Sequence, residues 1–154
     1  MISKKHLSFL GKLSAATLLV FTVACGPSLT LTDVDYAQPM ESVVSPDQNG
    51  NVEDPRTGVS FNITALNVEE RGEDASLPDH IRFIRSREGY YFVTAPGYSN
   101  VYVFESAERS LELYEIIEVS EAGLADPAFN QRSPQIQLLD GDTEYRLTKD
   151  GLAN

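Results

Sequence analysis

Hydrophobic and polar positions alternate along much of the second half of the chain. Residues 81–85, 90–95, 101–105 and 109–120 are rich in branched and aromatic side chains, and short groups of turn-forming residues separate them. Side chains of a strand point alternately to its two faces, and these residue types favour a pleated, half-buried surface. The pattern therefore predicts a meander of antiparallel strands.

The segment 111–121 fits two patterns. Its glutamates recur at every third position, as they do on a helix, whereas its branched residues are typical of a strand. At period two, Leu111, Leu113, Ile117 and Val119 share one face, and on a helical wheel the apolar residues scatter around the glutamates. We therefore predict a strand.

The first half has weaker alternation, interrupted by prolines and a run of turn residues. Tight turns between short apolar runs favour hairpins. In chain order the predicted elements are a strand over 29–36, an irregular loop over 37–51, a hairpin of strands 52–54 and 59–68 around the turn 55–58, and a polar connector over 69–76.

After the meander we predict a short helix near residues 121–130. The turn Asp140-Gly141-Asp142 lies between two more alternating runs, 135–139 and 143–148, which favours a closing hairpin. The last residues, 149–154, are predicted to form a flexible tail.

Taken together, these elements predict an all-β fold, a small antiparallel sandwich or barrel of about eight strands. Residues 29–148 are expected to form this single domain. A second interpretation takes 81–119 as one blade of a propeller. Since a propeller needs several blades and the first half holds no second copy of the pattern, the sandwich or barrel is favoured.

The first 26 residues have a different composition. Lys4, Lys5 and Lys12 precede an apolar run over 13–23, which ends at Ala24-Cys25-Gly26. A basic start and an apolar segment shorter than the ~20 residues that span a bilayer are typical of a signal peptide. The order of these regions indicates export.

This leader resembles the bacterial lipoprotein signal, with Thr22, Val23 and Ala24 before the lipobox cysteine Cys25. The resemblance covers residues 1–26 and implies removal of 1–24, diacylglyceryl modification of Cys25, and a lipidated tether over 25–28. Gly26, where Asp would favour inner-membrane retention, implies an outer-membrane destination if the host has one. Thr22 departs from the usual Leu, Val or Ile, so cleavage after Ala24 without lipidation stays open as an alternative. An uncleaved anchor helix is a second alternative.

The net charge of the chain excludes some classes of binding partner. The chain has 12 basic and 23 acidic residues, and removing residues 1–24 with their three lysines leaves 9 basic against 23 acidic, a net charge of −14 over 130 residues. Such a charge repels nucleic acid and anionic head groups. The expected partners are membrane lipid, through covalent acyl chains, and an envelope protein or glycan. Cys25 is the single cysteine, so no intrachain disulfide is possible.

The sequence contains few residues suited to catalysis or to metal binding. His80, beside Asp79, is the only histidine after the leader, and no Gly-x-Ser-x-Gly sequence is present. One histidine cannot build a zinc site of the usual kind. Two acidic groups resemble parts of calcium loops but fit turns better, namely Asp47, Asn49 and Asn51, and Asp140, Asp142 and Glu144. We therefore predict no cofactor, no metal and no catalytic residue, with a carboxylate-dependent envelope hydrolase as the alternative.

A group of aromatic residues in the second half of the chain is the remaining candidate site. Tyr90, Phe92, Tyr102 and Phe104 lie close together in sequence and alternate along predicted strands, so they cannot all face one core. An exposed set could stack on a sugar or bind a protein. The other interpretation is that both faces of the sheet are covered. The sequence thus predicts a membrane-anchored, non-enzymatic β domain acting in envelope assembly, adhesion or partner binding.

Overall fold

A computed structural model describes residues 40–108 and 110–153. The predicted signal peptide, the tether with Cys25 and the predicted strand over 29–36 lie outside this range. Within it, no helix combines the length and the apolar character needed to cross a bilayer.

The described part of the chain is almost entirely β, with eleven strands and one short helix, α1. The helix follows the third strand and covers Thr64–Arg71. In chain order the strands are β1 (Ser42–Val44), β2 (Asn51–Asp54), β3 (Val59–Asn62), β4 (Ile81–Arg85), β5 (Tyr91–Thr94), β6 (Asn100–Ser106), β7 (Leu111–Glu118), β8 (Pro127–Arg132), β9 (Gln135–Asp140), β10 (Thr143–Thr148) and β11 (Gly151–Leu152).

The strands form three antiparallel sheets. One has five strands in the order β1-β4-β5-β6-β7, one has four in the order β11-β10-β9-β8, and β2 and β3 form a separate hairpin. The predicted meander is confirmed as β4 to β7, and the hairpins β2-β3 and β9-β10 are also confirmed. The all-β fold is therefore as predicted, in its sandwich form.

One face of the five-stranded sheet packs against the four-stranded sheet. Because side chains alternate along β6, Val101 and Val103 point to this side, where they meet Leu138 and Leu147 of the opposite sheet. All four side chains are fully buried. These two sheets and the aliphatic core between them form the sandwich, and its two-sheet packing is the usual solution for antiparallel sheets with apolar inner faces.

The other face of the five-stranded sheet is covered by the β2-β3 hairpin and α1. Tyr102, which alternates with Val101 and Val103, is buried here beside Phe83 of β4 and Val52 of β2. Phe61 of β3 packs edge-on against Phe83, with ring centroids 5.5 Å apart. The five-stranded sheet is thus the middle of three layers and is buried on both faces.

Strand β7 confirms the strand prediction for 111–121 but changes the predicted faces. Val103 pairs with Glu115 and Phe104 with Leu113, so Tyr114 is an extra residue that forms a β-bulge. The bulge reverses the alternation. Leu113 shares the face of Phe104, whereas Ile117 lies in the sandwich core, so the prediction that both share one face is wrong.

The predicted loop over 37–51 contains a strand. Residues Ser42–Val44 form β1, which pairs with Ile81–Phe83 at the edge of the five-stranded sheet. Three residues between prolines carry too little alternation to predict a strand. The pairing depends on a partner about 40 residues later in the chain.

The predicted strand over 59–68 ends at Asn62, and α1 begins two residues later. The Asn62 side chain causes this change of direction, because its Oδ1 accepts the Thr64 backbone N–H at 2.9 Å, a local bond that favours a turn. At the other end, Gly72 adopts a positive φ of 88° and donates to the Val68 carbonyl.

Two predictions near the carboxyl end are also wrong. The helix near 121–130 is instead a turn followed by β8, because Leu124 exchanges backbone bonds with Gly97 and Tyr98. Residues 149–153 do not form a flexible tail. They turn back at Gly151, which has a φ of 138°, and β11 pairs with the end of β10.

Candidate functional site

The four predicted aromatic candidates do not form one exposed surface. Phe92 and Tyr102 are buried on opposite faces of the five-stranded sheet, at 1% and 0% exposure. Tyr90 is half-buried against the sandwich core, and Phe104 is half-buried beside the cluster that holds Tyr102. These aromatic residues are therefore divided between the two hydrophobic clusters on opposite faces of the sheet. This agrees with the interpretation that both faces of the sheet are covered.

Tyr90 belongs to a small surface cluster that joins distant strands. Its ring lies 5.0 Å from that of Tyr114, and the Lys149 Nζ lies 5.7 and 5.0 Å from the two ring centroids. Lys149 also donates to Asp150 Oδ1 at 2.6 Å and to the Tyr114 hydroxyl at 2.9 Å. These two bonds, Asp150 first, raise the Lys149 pKa, and the bond from Lys149 lowers the Asp150 pKa.

The cluster attaches β7 to the turn between β10 and β11. It depends on the bulge, which turns Tyr114 toward the sandwich side of the strand where Tyr90 lies. Because Tyr114 lies 24 residues after Tyr90 and 35 residues before Lys149, no local pattern could reveal the cluster.

The acidic loop at Asp47 is ordered by its own backbone. One carboxylate oxygen accepts the N–H groups of Asn49 and Asn51 at 2.8 Å each, and the other accepts the Asn51 side-chain amide at 3.0 Å. The bond from the Asn51 side chain is the main reason that the Asp47 pKa is lowered. Asp140 acts similarly, accepting the N–H groups of Ala125 and Asp126.

Over residues 40–108 and 110–153, no group of three or more His, Cys, Asp or Glu side chains could hold a metal ion. His80 is half-buried just before β4, and its Nε2 is buried with no hydrogen-bond partner in that part of the chain. Asp79 is exposed and forms no hydrogen bond with His80 there. Among residues 40–108 and 110–153, no Ser-His-Asp arrangement forms around this imidazole.

Asp54 is a buried carboxylate with a strongly lowered pKa. It is 1% exposed, and Ser42 Oγ donates to its Oδ2 at 2.5 Å. Arg56 donates its backbone N–H to Oδ1 at 2.9 Å and approaches the same oxygen with Nε at 3.3 Å. The Ser42 bond, with those from Arg56, lowers the Asp54 pKa to about 2 despite the opposing effect of burial. Asp54 therefore stays ionised and ties β1 to the β2-β3 hairpin.

A groove with a volume of 490 Å³ lies beside this network, between β1 and β2, and its lining includes Glu41, Glu53, Asp54 and Arg56. Glu41 is already bound, since its Oε2 accepts from Arg82 Nη1 at 3.0 Å and its Oε1 accepts the Phe129 N–H at 2.7 Å. Glycoside hydrolysis needs a carboxyl that holds its proton, which requires a raised pKa. Asp54 has the opposite shift, so it does not supply that acid.

Two of the exposed large hydrophobic side chains lie next to each other on β7. Leu113 is 51% exposed and the adjacent Tyr114 is 38% exposed. β7 is the last strand of the five-stranded sheet, and among the described residues it pairs with β6 only. We call the unpaired outer side of residues 111–118 the β7 edge. Unpaired backbone groups along such an edge can accept a further strand.

The two faces of the β7 edge differ in chemistry. Leu111 and Leu113 lie on the face of Phe104, toward the hairpin and α1. Glu112 and Glu115 lie on the opposite face, because they pair with Glu105 and with the core residue Val103. In the part of the chain that the structure describes, none of these glutamates forms a salt bridge.

Searches with protein-family models, against curated proteins and against solved structures find no match to this chain. Its function must therefore be inferred from the chemistry of its leader and of its exposed surfaces.

Proposed function

We propose that this chain is an envelope lipoprotein, anchored by acyl chains on Cys25, whose β domain binds a partner without catalysing a reaction. The observation that carries the proposal is the order of the leader, with basic residues, an apolar run over 13–23, and then Ala24-Cys25. Gly26 after the cysteine makes the outer membrane the proposed destination in a host that has one.

Charge is consistent with attachment through lipid. Acyl chains give stable anchoring when two or more are present, and lipoprotein modification supplies that number. Without residues 1–24 the chain carries 9 basic and 23 acidic residues. Such a domain is repelled by anionic head groups, so covalent chains rather than a protein surface would hold it at the bilayer.

Binding is favoured over catalysis by the roles of the polar groups. Asp54 and Glu41 bind strands and backbone groups around the groove, and Glu70 of α1 accepts from Ser99 and Asn100. Each of these carboxylates holds structural layers together. A protein partner is favoured over a glycan, because the aromatic rings that could stack on a sugar are divided between two cores.

The anchor is tested with Cys25→Ser in the full chain, expressed in a bacterial host and compared with Ser28→Ala as the matched control. We expect the wild type and Ser28→Ala to enter the detergent phase on Triton X-114 partition, and Cys25→Ser to lose that property or to accumulate unprocessed. Mass spectrometry of the wild type should show an amino-terminal Cys25 carrying diacylglycerol. An unmodified sulfur or an intact leader would overturn the proposal.

A further inference from the structure

We infer that the β7 edge binds an extended, cationic segment of a partner protein, which adds to the five-stranded sheet as a sixth strand. This inference rests on the proposed function, since it specifies the partner of a non-enzymatic binding domain. Strand addition is a recurrent mode of peptide recognition in which backbone bonds supply affinity and alternate side chains supply specificity.

The edge is long enough for this mode of binding. β7 has eight residues, whereas β1 at the opposite edge of the same sheet has three. After the bulge at Tyr114, residues 115–118 continue in regular register with β6. The bulge is fixed by the Tyr114 contacts with Tyr90 and Lys149, so the outer side of the strand is ordered before any partner binds.

The side chains along the edge define a two-sided partner. On one face, Leu111, Leu113 and Phe104 form a row that is only partly covered. On the other face, Glu112 and Glu115 follow each other along the strand. A docked segment would extend the first row with apolar side chains and would place basic side chains beside the second. Alternation of apolar and basic residues is therefore the expected pattern.

The charge on the β7 edge favours a cationic segment over two other occupants, a second copy of β7 and the chain's own residues 29–36. Glu105 lies directly opposite Glu112, and like charges in that position are destabilising. A second copy of β7 would add its own Glu112 and Glu115 to this face. The chain's own residues 29–36 carry Asp33 and Asp35 and no basic residue, so they would also add negative charge beside the glutamates. A cationic segment is the occupant that relieves the repulsion.

Charges and bulges on an edge strand also protect it from unselective pairing. The same glutamates can therefore do both tasks, since they repel neutral or acidic strands and admit a basic one. Specificity built from repulsion of the wrong partner is common at protein interfaces.

The probe is a fluorescein-labelled peptide of alternating lysine and valine, with roughly ten residues, a usual strand length. It is titrated, with fluorescence anisotropy as the readout, into the full chain purified in a neutral detergent. Two comparison peptides are used. One has glutamate in place of lysine, and the other has the same composition with all lysines before all valines, so it keeps the charge but loses the alternation.

The variant Glu112→Lys with Glu115→Lys is compared with Glu73→Lys with Asp74→Lys, which makes the same change in net charge at exposed residues after α1. We expect the alternating peptide to bind the wild type and the control variant within about twofold of each other, and the β7 variant at least about tenfold more weakly. New amide-exchange protection should appear within residues 111–118.

Equal binding of the non-alternating peptide, or an equal loss in both variants, would show general charge attraction and overturn the inference. A wild-type dimer in sedimentation that the β7 variant lacks would make a second copy the occupant, which also overturns it. Failure to bind the alternating peptide would do the same. All three outcomes leave the Cys25 experiment unaffected, so failure of the docking site and failure of the lipid anchor are distinguishable.

Discussion

The two faces of the central five-stranded sheet are stabilised in different ways. The face toward the four-stranded sheet packs a continuous set of aliphatic and phenylalanine side chains, including Ile84, Val103 and Leu138. The face toward the hairpin and α1 buries Tyr98 and Tyr102, and burial raises the pKa of both hydroxyl groups. One face is a largely apolar core, and the other mixes aromatic packing with buried polar groups.

Polar side chains connect the layers on the hairpin and helix side. Asp54 binds Ser42 and Arg56, which links the hairpin to β1. Glu70 binds the Ser99 N–H at 2.7 Å and the Asn100 side chain at 2.8 Å, which links α1 to the turn before β6. Such links depend on charge and geometry rather than on buried area. We expect this layer to open locally while the sandwich stays folded.

The largest expected effect is in the sandwich core. Leu138→Ala removes a fully buried side chain, so we expect the free energy of unfolding to fall by about 2–5 kcal/mol in chemical denaturation. The matched change Leu113→Ala is made at a half-exposed side chain of the β7 edge and should cost at most about 0.5 kcal/mol. Similar costs for both leucines would contradict the assignment of the core.

A smaller effect is expected at Asp54. Asp54→Asn removes the charge that Ser42 and Arg56 bind, and we expect a loss of about 1–3 kcal/mol near neutral pH. The folded pKa is about 2 and the ordinary value is 3.8, so the unfolded chain takes up the proton first as pH falls. The stability that the charge contributes is complete above the ordinary value and decreases as pH falls toward 2.

This dependence is measured as the difference in unfolding free energy between wild type and Asp54→Asn across the acid range. The difference should shrink steadily on acidification, whereas the cost of Leu138→Ala should stay nearly constant. A pH-independent cost at Asp54 would show that shape, not charge, holds the hairpin.

The smallest effect concerns α1. Glu70→Gln keeps the side-chain length but exchanges one acceptor oxygen for a donor, so one of the two bonds to Ser99 and Asn100 is lost, at about 1 kcal/mol. Glu69→Gln, at an exposed neighbour, is the control. Amide exchange in α1 should become faster in Glu70→Gln alone, with sandwich strands unchanged. Equal acceleration in both layers would mean that the helix does not open separately.

The sequence predicts the parts of the fold that local pattern controls. The meander from β4 to β7 and the hairpins β2-β3 and β9-β10 follow from alternation and turn residues. β1 could not be predicted, because three residues become a strand only through pairing with β4. Helix α1 follows Asn62, whose side chain accepts the Thr64 N–H in a local bond that favours a turn at the end of β3.

The candidate site was harder to predict than the fold. Alternation places Phe92, Tyr102 and Phe104 in the correct strands and Tyr90 one residue before β5, but the sequence does not state that a second layer covers the other face of the sheet. The bulge at Tyr114 moves Leu113 away from the face predicted by simple alternation and leaves it at an exposed edge. One extra residue in a strand leaves no recognisable pattern in the sequence. The position of Leu113 therefore becomes clear only from the pairing register of β6 with β7.

The two hydrogen bonds of the Glu41 carboxylate affect how the start of the domain is held. Its carboxylate bonds Arg82 of β4 and the backbone of Phe129 in β8, so one side chain holds both sheets of the sandwich. It stands directly before β1, on the amino-terminal side of the domain. Tension applied to the chain from that direction would therefore reach these two bonds before it reached the central strands.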